Sequence, residues 1–266
     1  MKENDRATWL ATLLMPDDVR TASTILWALS SELAAIPARI NEPMAGEIRF
    51  QWWADALGGL RGDEAQANPL SRAVLTLVAA AKLPVPPLVD MVQARIADLY
   101  GDGIADRHAF EAYSGEALSA IFQLICVAVL GDRAKSCSMA SGHAGVASCI
   151  ADVLLESTDL APSKRIRVPE DLLTACGTDQ ETFAASDLGA RRSVIEALAS
   201  YGREHLSAYR EAIQEVPTEV RSVYLPLVRS AQVIEAAGRA PDKPTRPPSS
   251  IKLQWQLWRA SRRGFS

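Results

Sequence analysis

The chain has 266 residues and a mass of 28.7 kDa, with 48% hydrophobic, 23% charged and 6% aromatic residues and a net charge of −4. That apolar content excludes a disordered tail, and 15 glycines and 15 prolines exclude a fibrous or low-complexity chain. The 43 alanines and 29 leucines make up 27% of the residues; both types lose little side-chain freedom in a helix, and the composition predicts an all-α protein.

The opening MKENDRATWL lacks the charged-then-apolar run of a signal peptide. A first helix is predicted from Asp17 to Ile36, between Pro16 and Pro37, with acids at its positive end. Its apolar residues Val19, Ala22, Leu26, Leu29, Leu33 and Ile36 step by three and four, which draws one stripe along one face. A second helix follows Pro43, and two more are predicted at 70–82 and 86–100. After the break at Gly101–Gly103, helices are predicted at 107–130, 136–157, 169–176, 187–214 and 217–238. The apolar stretch Leu118 to Leu130 is too short to span a bilayer and reads as a core helix. The Pro-rich PDKPTRPPSS closes the body, and a last helix at 249–263 carries Ile251, Trp255 and Trp258 on one face. A helical domain over 1–240 and a linker plus basic amphipathic helix over 241–266 is the simplest organisation.

Charge divides the same way. Residues 239–266 hold seven basic side chains and one acid, a net +6, and the preceding 238 residues sum to −10. An acidic body gives no general attraction to nucleic acid, so none is expected as a partner. A tail with Trp255 and Trp258 beside Arg259, Arg262 and Arg263 suits an anionic membrane surface or a protein partner; the tryptophans docking on the chain's own body is the competing reading. The four cysteines form no CxxC pair and read as reduced thiols of a cytoplasmic protein, at most peripheral at the inner membrane.

No GxGxxG, P-loop, GxSxG or HExxH string occurs. His143 falls near the apolar stripe of its helix and reads as a hydrogen-bonded core histidine. Asp152, Glu156 and Asp159 step i, i+4, i+7 and share one helix face. Carboxylates one turn apart can hold Mg²⁺, and a plain solvated acidic face produces the same spacing. Asp98, Asp102 and Asp106 are interrupted by glycines and read as loop aspartates that cap helices.

Several blocks in order resemble the squalene/phytoene synthase family. LATLLMPDDVRTASTILWAL (Leu10 to Leu29) is similar to the family's opening helix, and IRFQWWADAL and NPLSRAVL resemble the next two blocks. ADLYGDGIADRHAFEAYSGEALSAIFQL follows, with Asp98 and Tyr113 at marked places, and then GVASCIADVLLE and KRIRVPEDLL. The resemblance implies an isoprenoid-synthase-like single helical bundle around a central cavity. It implies Mg²⁺ as cofactor, bridging a prenyl diphosphate to two aspartate-rich helices. Metal at Asp152 and Glu156, and diphosphate at Arg20, Lys164 and Arg165, are the positions it carries onto this chain.

The first aspartate motif, however, falls on Ala34, Ala35 and Ala38, with Ser31 where the family has arginine. WALSSELA, IRFQWW and RVPEDLL are closer to a divergent branch of the family that lacks the aspartate motifs and is typified by a mitochondrial assembly factor for respiratory complex I. A synthase-like protein that binds an isoprenoid or other lipid-like molecule, or serves complex assembly, is therefore the leading expectation. The alternative is an active Mg²⁺-dependent prenyltransferase.

Overall fold

Prolines punctuate the first half of the chain. Pro16 precedes one helix and Pro43, Pro69 and Pro86 start three others, at positions where the missing N–H has no helical partner to lose. The computed structural model describes residues 5–101, 103–158 and 167–263, with fifteen α-helices and no β-strand among them. In order they are α1 (Arg6–Thr12), α2 (Asp17–Ala34), α3 (Pro43–Leu57), α4 (Gly62–Ala67), α5 (Pro69–Ala81), α6 (Pro86–Ala94), α7 (Ala97–Tyr100) and α8 (Arg107–Ser114). Then come α9 (Ala120–Leu130), α10 (Ser138–Glu156), α11 (Glu170–Ala175), α12 (Gln180–Ala185), α13 (Arg192–Ala212), α14 (Leu227–Arg239) and α15 (Ser250–Arg263). Every residue of the stripe predicted on α2 is buried.

Helix α10 is the axis of the core. Ala140, Ala144, Ala147 and Ala151 lie at helical spacing along it, all at 0% exposure, and such small side chains let α9, α13 and α14 close around it. A Cβ on Gly145 would lie 2.5 Å from the backbone nitrogen of Ser119. Ser119 ends a π-helical turn, Gly115–Ser119, that joins α8 to α9, so the predicted helix 107–130 is continuous but locally widened, with i→i+5 hydrogen bonding over one turn. The helical run continues to Glu156, and by length and composition it is apolar enough to cross a membrane (mean hydropathy 1.7 over 18 residues). Half of that apolar window is buried inside the bundle, as in a core helix.

Three expectations need correction. The helix predicted at 86–100 breaks after Ala94 into α6 and α7, and the one at 217–238 is a 3₁₀ turn, Thr218–Tyr224, until Pro226 opens α14. The helix predicted from 187 begins at Arg192, because the Asp187 carboxylate accepts the Ala190 N–H in a turn. Buried Arg191 follows it and donates to the carbonyls of Ser157, Phe183 and Ala184, satisfying the ends of α10 and α12.

His143 on α10 meets His205 on α13 with their Nδ1 atoms 3.1 Å apart, and His205 Nε2 lies 3.5 Å from Glu111 Oε1 on α8. Burial holds the His205 imidazole below its ordinary value of 6.5, outweighing the pull of Glu111. Stability from neutral His205 is thus complete above pH 6.5 and lost as pH falls below it, with a slope of at most about 1.4 kcal/mol per pH unit. Urea unfolding measured across this range should show that slope in the native chain and a flatter line in His205→Gln. Identical slopes would remove His205 from the account.

Candidate functional site

The bundle forms a partly open cavity of about 1120 Å³. The end of α2 contributes Ser30, Ser31, Ala34 and Ala35, and Pro37 and Ala38 continue that wall. These include the three alanines and the serine that occupy the slots of the first aspartate motif and its arginine. Helix α10 contributes Ser148, Cys149, Asp152 and Glu156, stepping by turns so that all four look inward. Arg95, Asp98, Tyr113, Arg167 and Arg229 complete the polar lining, with Trp27 and Leu118 among the apolar lining residues.

Three of the four carboxylates in the described lining, Asp98, Asp152 and Glu156, already have a guanidinium, and the fourth, Asp5, caps α1 by accepting the Thr8 N–H. Arg229 Nη1 donates to Asp152 Oδ1 at 2.9 Å, and Arg167 Nη2 donates to Glu156 Oε1 at 2.9 Å. The other end of the Arg167 fork donates to the Tyr113 hydroxyl at 2.7 Å and to Asp98 Oδ1 at 3.3 Å. Tyr113 in turn donates to Asp98 at 2.9 Å, and Arg95 lies 3.5 Å from the same carboxylate. One planar fork therefore joins two acidic side chains and a phenol, reaching Asp98 and Tyr113 from one nitrogen and Glu156 from the other, a spread that a single ammonium nitrogen does not offer.

The charge states follow from this arrangement. Burial works against the Arg167 charge, but Tyr113, Asp98 and Glu156 overcome it and hold the guanidinium above its ordinary range. Arg229 behaves likewise through Asp152. Burial pushes the Tyr113 phenol up and the Cys149 thiol up to about 11, which favours the protonated form of both at neutral pH.

The sequence-predicted residues distribute unevenly. Asp152 and Glu156 come together in the cavity. Arg20 does not line it: its guanidinium binds Asp17 at 2.7 Å and the Met15 carbonyl at the outer end of α2. Lys164, Arg165, Asp159 and Asp102 lie outside the described residues, as does the side chain of Arg263. Asp106 caps α8 as expected, accepting the Ala109 N–H. Asp98 is not a loop residue; it sits in the first turn of α7 and faces the cavity. Trp255 and Trp258 do not dock on the body either, being 55% and 51% exposed, because α15 packs through Leu253 and Leu257 instead.

Arg167, Arg229 and Arg95 are the cavity residues that sequence reasoning passed over. Arg167 stands two residues beyond the basic pair singled out in KRIRVP. Arg229 directly follows an apolar run, Val223 to Val228, a position where a charged side chain needs a buried partner.

A family profile described as squalene/phytoene synthase matches residues 1–259. The chain belongs to the squalene/phytoene synthase family. Among curated relatives, the rat protein named NADH dehydrogenase (ubiquinone) complex I, assembly factor 6, is 24% identical over 229 residues, which are 86% of this chain and 68% of the relative. The Drosophila melanogaster homologue of that factor is 27% identical over 256 residues, 90% of this chain and 74% of its own. A dehydrosqualene synthase solved with ligand superposes with a TM-score of 0.81 at 12% identity, covering 98% of this chain and 92% of its own. The squalene synthase HpnC from Alicyclobacillus acidocaldarius gives 0.70 at 18% identity, covering 91% and 94%. At these identities the family's all-α fold is what the solved structures share with this chain.

Proposed function

We propose that this squalene/phytoene synthase-family protein keeps the family's chamber without its metal-dependent condensation, and acts as an isoprenoid- or lipid-binding, assembly-type protein. The observation that carries this is the pairing of the cavity's acids with arginines. Among the described residues no group of three His, Cys, Asp or Glu side chains could hold a metal ion. Asp152 and Glu156 are each committed to a guanidinium, and the slots of the other motif are alanines, so the described residues do not fit Mg²⁺. The described lining holds three arginines, Arg95, Arg167 and Arg229, against four carboxylates, Asp5, Asp98, Asp152 and Glu156. A diphosphate entering that lining finds no surplus positive charge to offset its desolvation.

The assembly half of the reading rests on the relatives named as complex I assembly factors. By that likeness this chain serves assembly of a respiratory NADH dehydrogenase complex, in the cytoplasm or peripherally at the inner membrane. The outward face of α15 is its contact surface for membrane or protein.

Incubation with farnesyl and geranylgeranyl diphosphate plus Mg²⁺ is expected to release no diphosphate. Release that disappears in Glu156→Ala would restore the prenyltransferase reading. Native gels of a strain lacking this chain should show less assembled NADH dehydrogenase; an unchanged complex would sink the assembly half.

A further inference from the structure

Helix α15 has two apolar faces where docking needs one. Leu253 and Leu257, 5% and 1% exposed, hold it against the body, where it packs on α1 and α14. Ile251, Trp255 and Trp258 lie on its far side at 82%, 55% and 51% exposure, and a 3.6-residue turn places these three and Arg262 within an arc of about 60°. The guanidinium of Arg259 stacks 5.5 Å from the Trp255 ring centre and that of Arg262 5.6 Å from Trp258. No acid occurs between Ser250 and Arg263.

We propose that this face of α15 is a docking surface for an anionic phospholipid bilayer, with the helix lying in the plane of the interface. Indole rings with an apolar body and a polar edge settle at headgroup depth, and the stacked guanidiniums meet lipid phosphates there. Charge complementarity selects the occupant: a +6 tail on a −10 body is drawn to an anionic sheet by its tail alone, and the body's repulsion turns the rest of the surface away. The elements behind α15 also line the cavity, α1 through Asp5 and Thr8 and α14 through Arg229 and Ser230. Docking through α15 therefore holds the chamber close to the bilayer, where apolar ligands are dissolved. This deepens the reading of the tail as a contact surface and is independent of whether the cavity does chemistry.

The test is co-sedimentation of the full chain with vesicles of phosphatidylcholine alone and with phosphatidylglycerol added. Binding is expected only with the anionic lipid, and each basic side chain near the surface contributes about fivefold. Trp255→Ala with Trp258→Ala should lower partitioning at least tenfold while Leu253 and Leu257 keep the helix docked, as unchanged helical circular dichroism and thermal midpoint would report. Arg259→Glu with Arg262→Glu should abolish the lipid-charge dependence. Equal binding by native chain and tryptophan variant overturns the proposal. So does absence of binding to both vesicle types, including the case where sedimentation velocity shows a dimer that the tryptophan variant loses. Neither result bears on diphosphate release, so failure here is distinguishable from failure of the cavity reading.

Discussion

Gly145→Ala is expected to destabilise the fold by about 3 kcal/mol or more, a large effect for one methyl group. The added Cβ would sit 2.5 Å from the Ser119 nitrogen and 2.6 Å from its Cα. Those are backbone atoms, which cannot rotate aside as the end of a side chain can. Ser119 is further pinned, because its hydroxyl donates to the Gly142 carbonyl at 3.1 Å and is also within reach of the Ser114 carbonyl. Relief would require α10 to move away from the turn before α9. The same helix supplies the control: a Cβ on Gly142 meets nothing within 4 Å, so Gly142→Ala should be neutral or stabilise by up to about 1 kcal/mol through helix propensity. Urea unfolding of the two variants should move in opposite directions. A Gly145→Ala midpoint equal to the native one would show that the close approach is absent in solution. The consequence reaches the cavity, since α10 also positions Asp152 and Glu156, two and three turns further on.

Why some of this was legible and some not follows from the range of the interactions. The stripe on α2 is a local property of spacing, and the bundle buries it as read. Alanines at 34, 35 and 38 are likewise visible in the chain, and the structure places all three on the cavity wall. The short helices α1 and α12 went unread because each spans under two turns and has little apolar periodicity, although Asp5 and Asp179 cap them in the ordinary way. The partners of the acids were out of reach for a different reason. Asp152 and Arg229 are 77 residues apart, and Asp98 and Arg167 are 69 apart; only the packing of α7, α10 and α14 around one chamber brings them together. The i, i+4 spacing of Asp152 and Glu156 put both acids on one helix face but left open whether that face was solvated or lined a chamber, and could not show their arginine partners. In α15 the ambiguity lay in having two stripes, and burial of Leu253 and Leu257 decided which one docks.

Arg167→Met puts the cavity's charge balance to the test. Removing one member of a buried ion pair costs about 3–5 kcal/mol when the partner stays dry. Here the Arg167 side chain is 24% exposed, Glu156 32% and Asp98 13%, so water screens part of the loss and about 2–3 kcal/mol is expected. The penalty should come from Glu156 left without a cation and Asp98 left with only Arg95 at 3.5 Å, both facing one chamber. If so, Arg167→Met combined with Asp98→Asn and Glu156→Gln should recover stability to within about 1 kcal/mol of the native chain, because the unpaired charges are gone. A triple variant as unstable as the single one would instead assign the loss to packing, the guanidinium lying 5.5 Å from the Tyr113 ring centre. Arg229→Met should cost less, about 1 kcal/mol, since it strands only Asp152, whose side chain is 39% exposed. Mg²⁺ adds a second readout. With Arg167 removed, two carboxylates that shared one guanidinium become available to a divalent cation, and millimolar Mg²⁺ should raise the unfolding midpoint of Arg167→Met. The native chain should not respond. A native midpoint that rises with Mg²⁺ as much as the variant's would mean that the acids already bind metal past their arginines, and the reading of a chamber neutralised by its own side chains would fall.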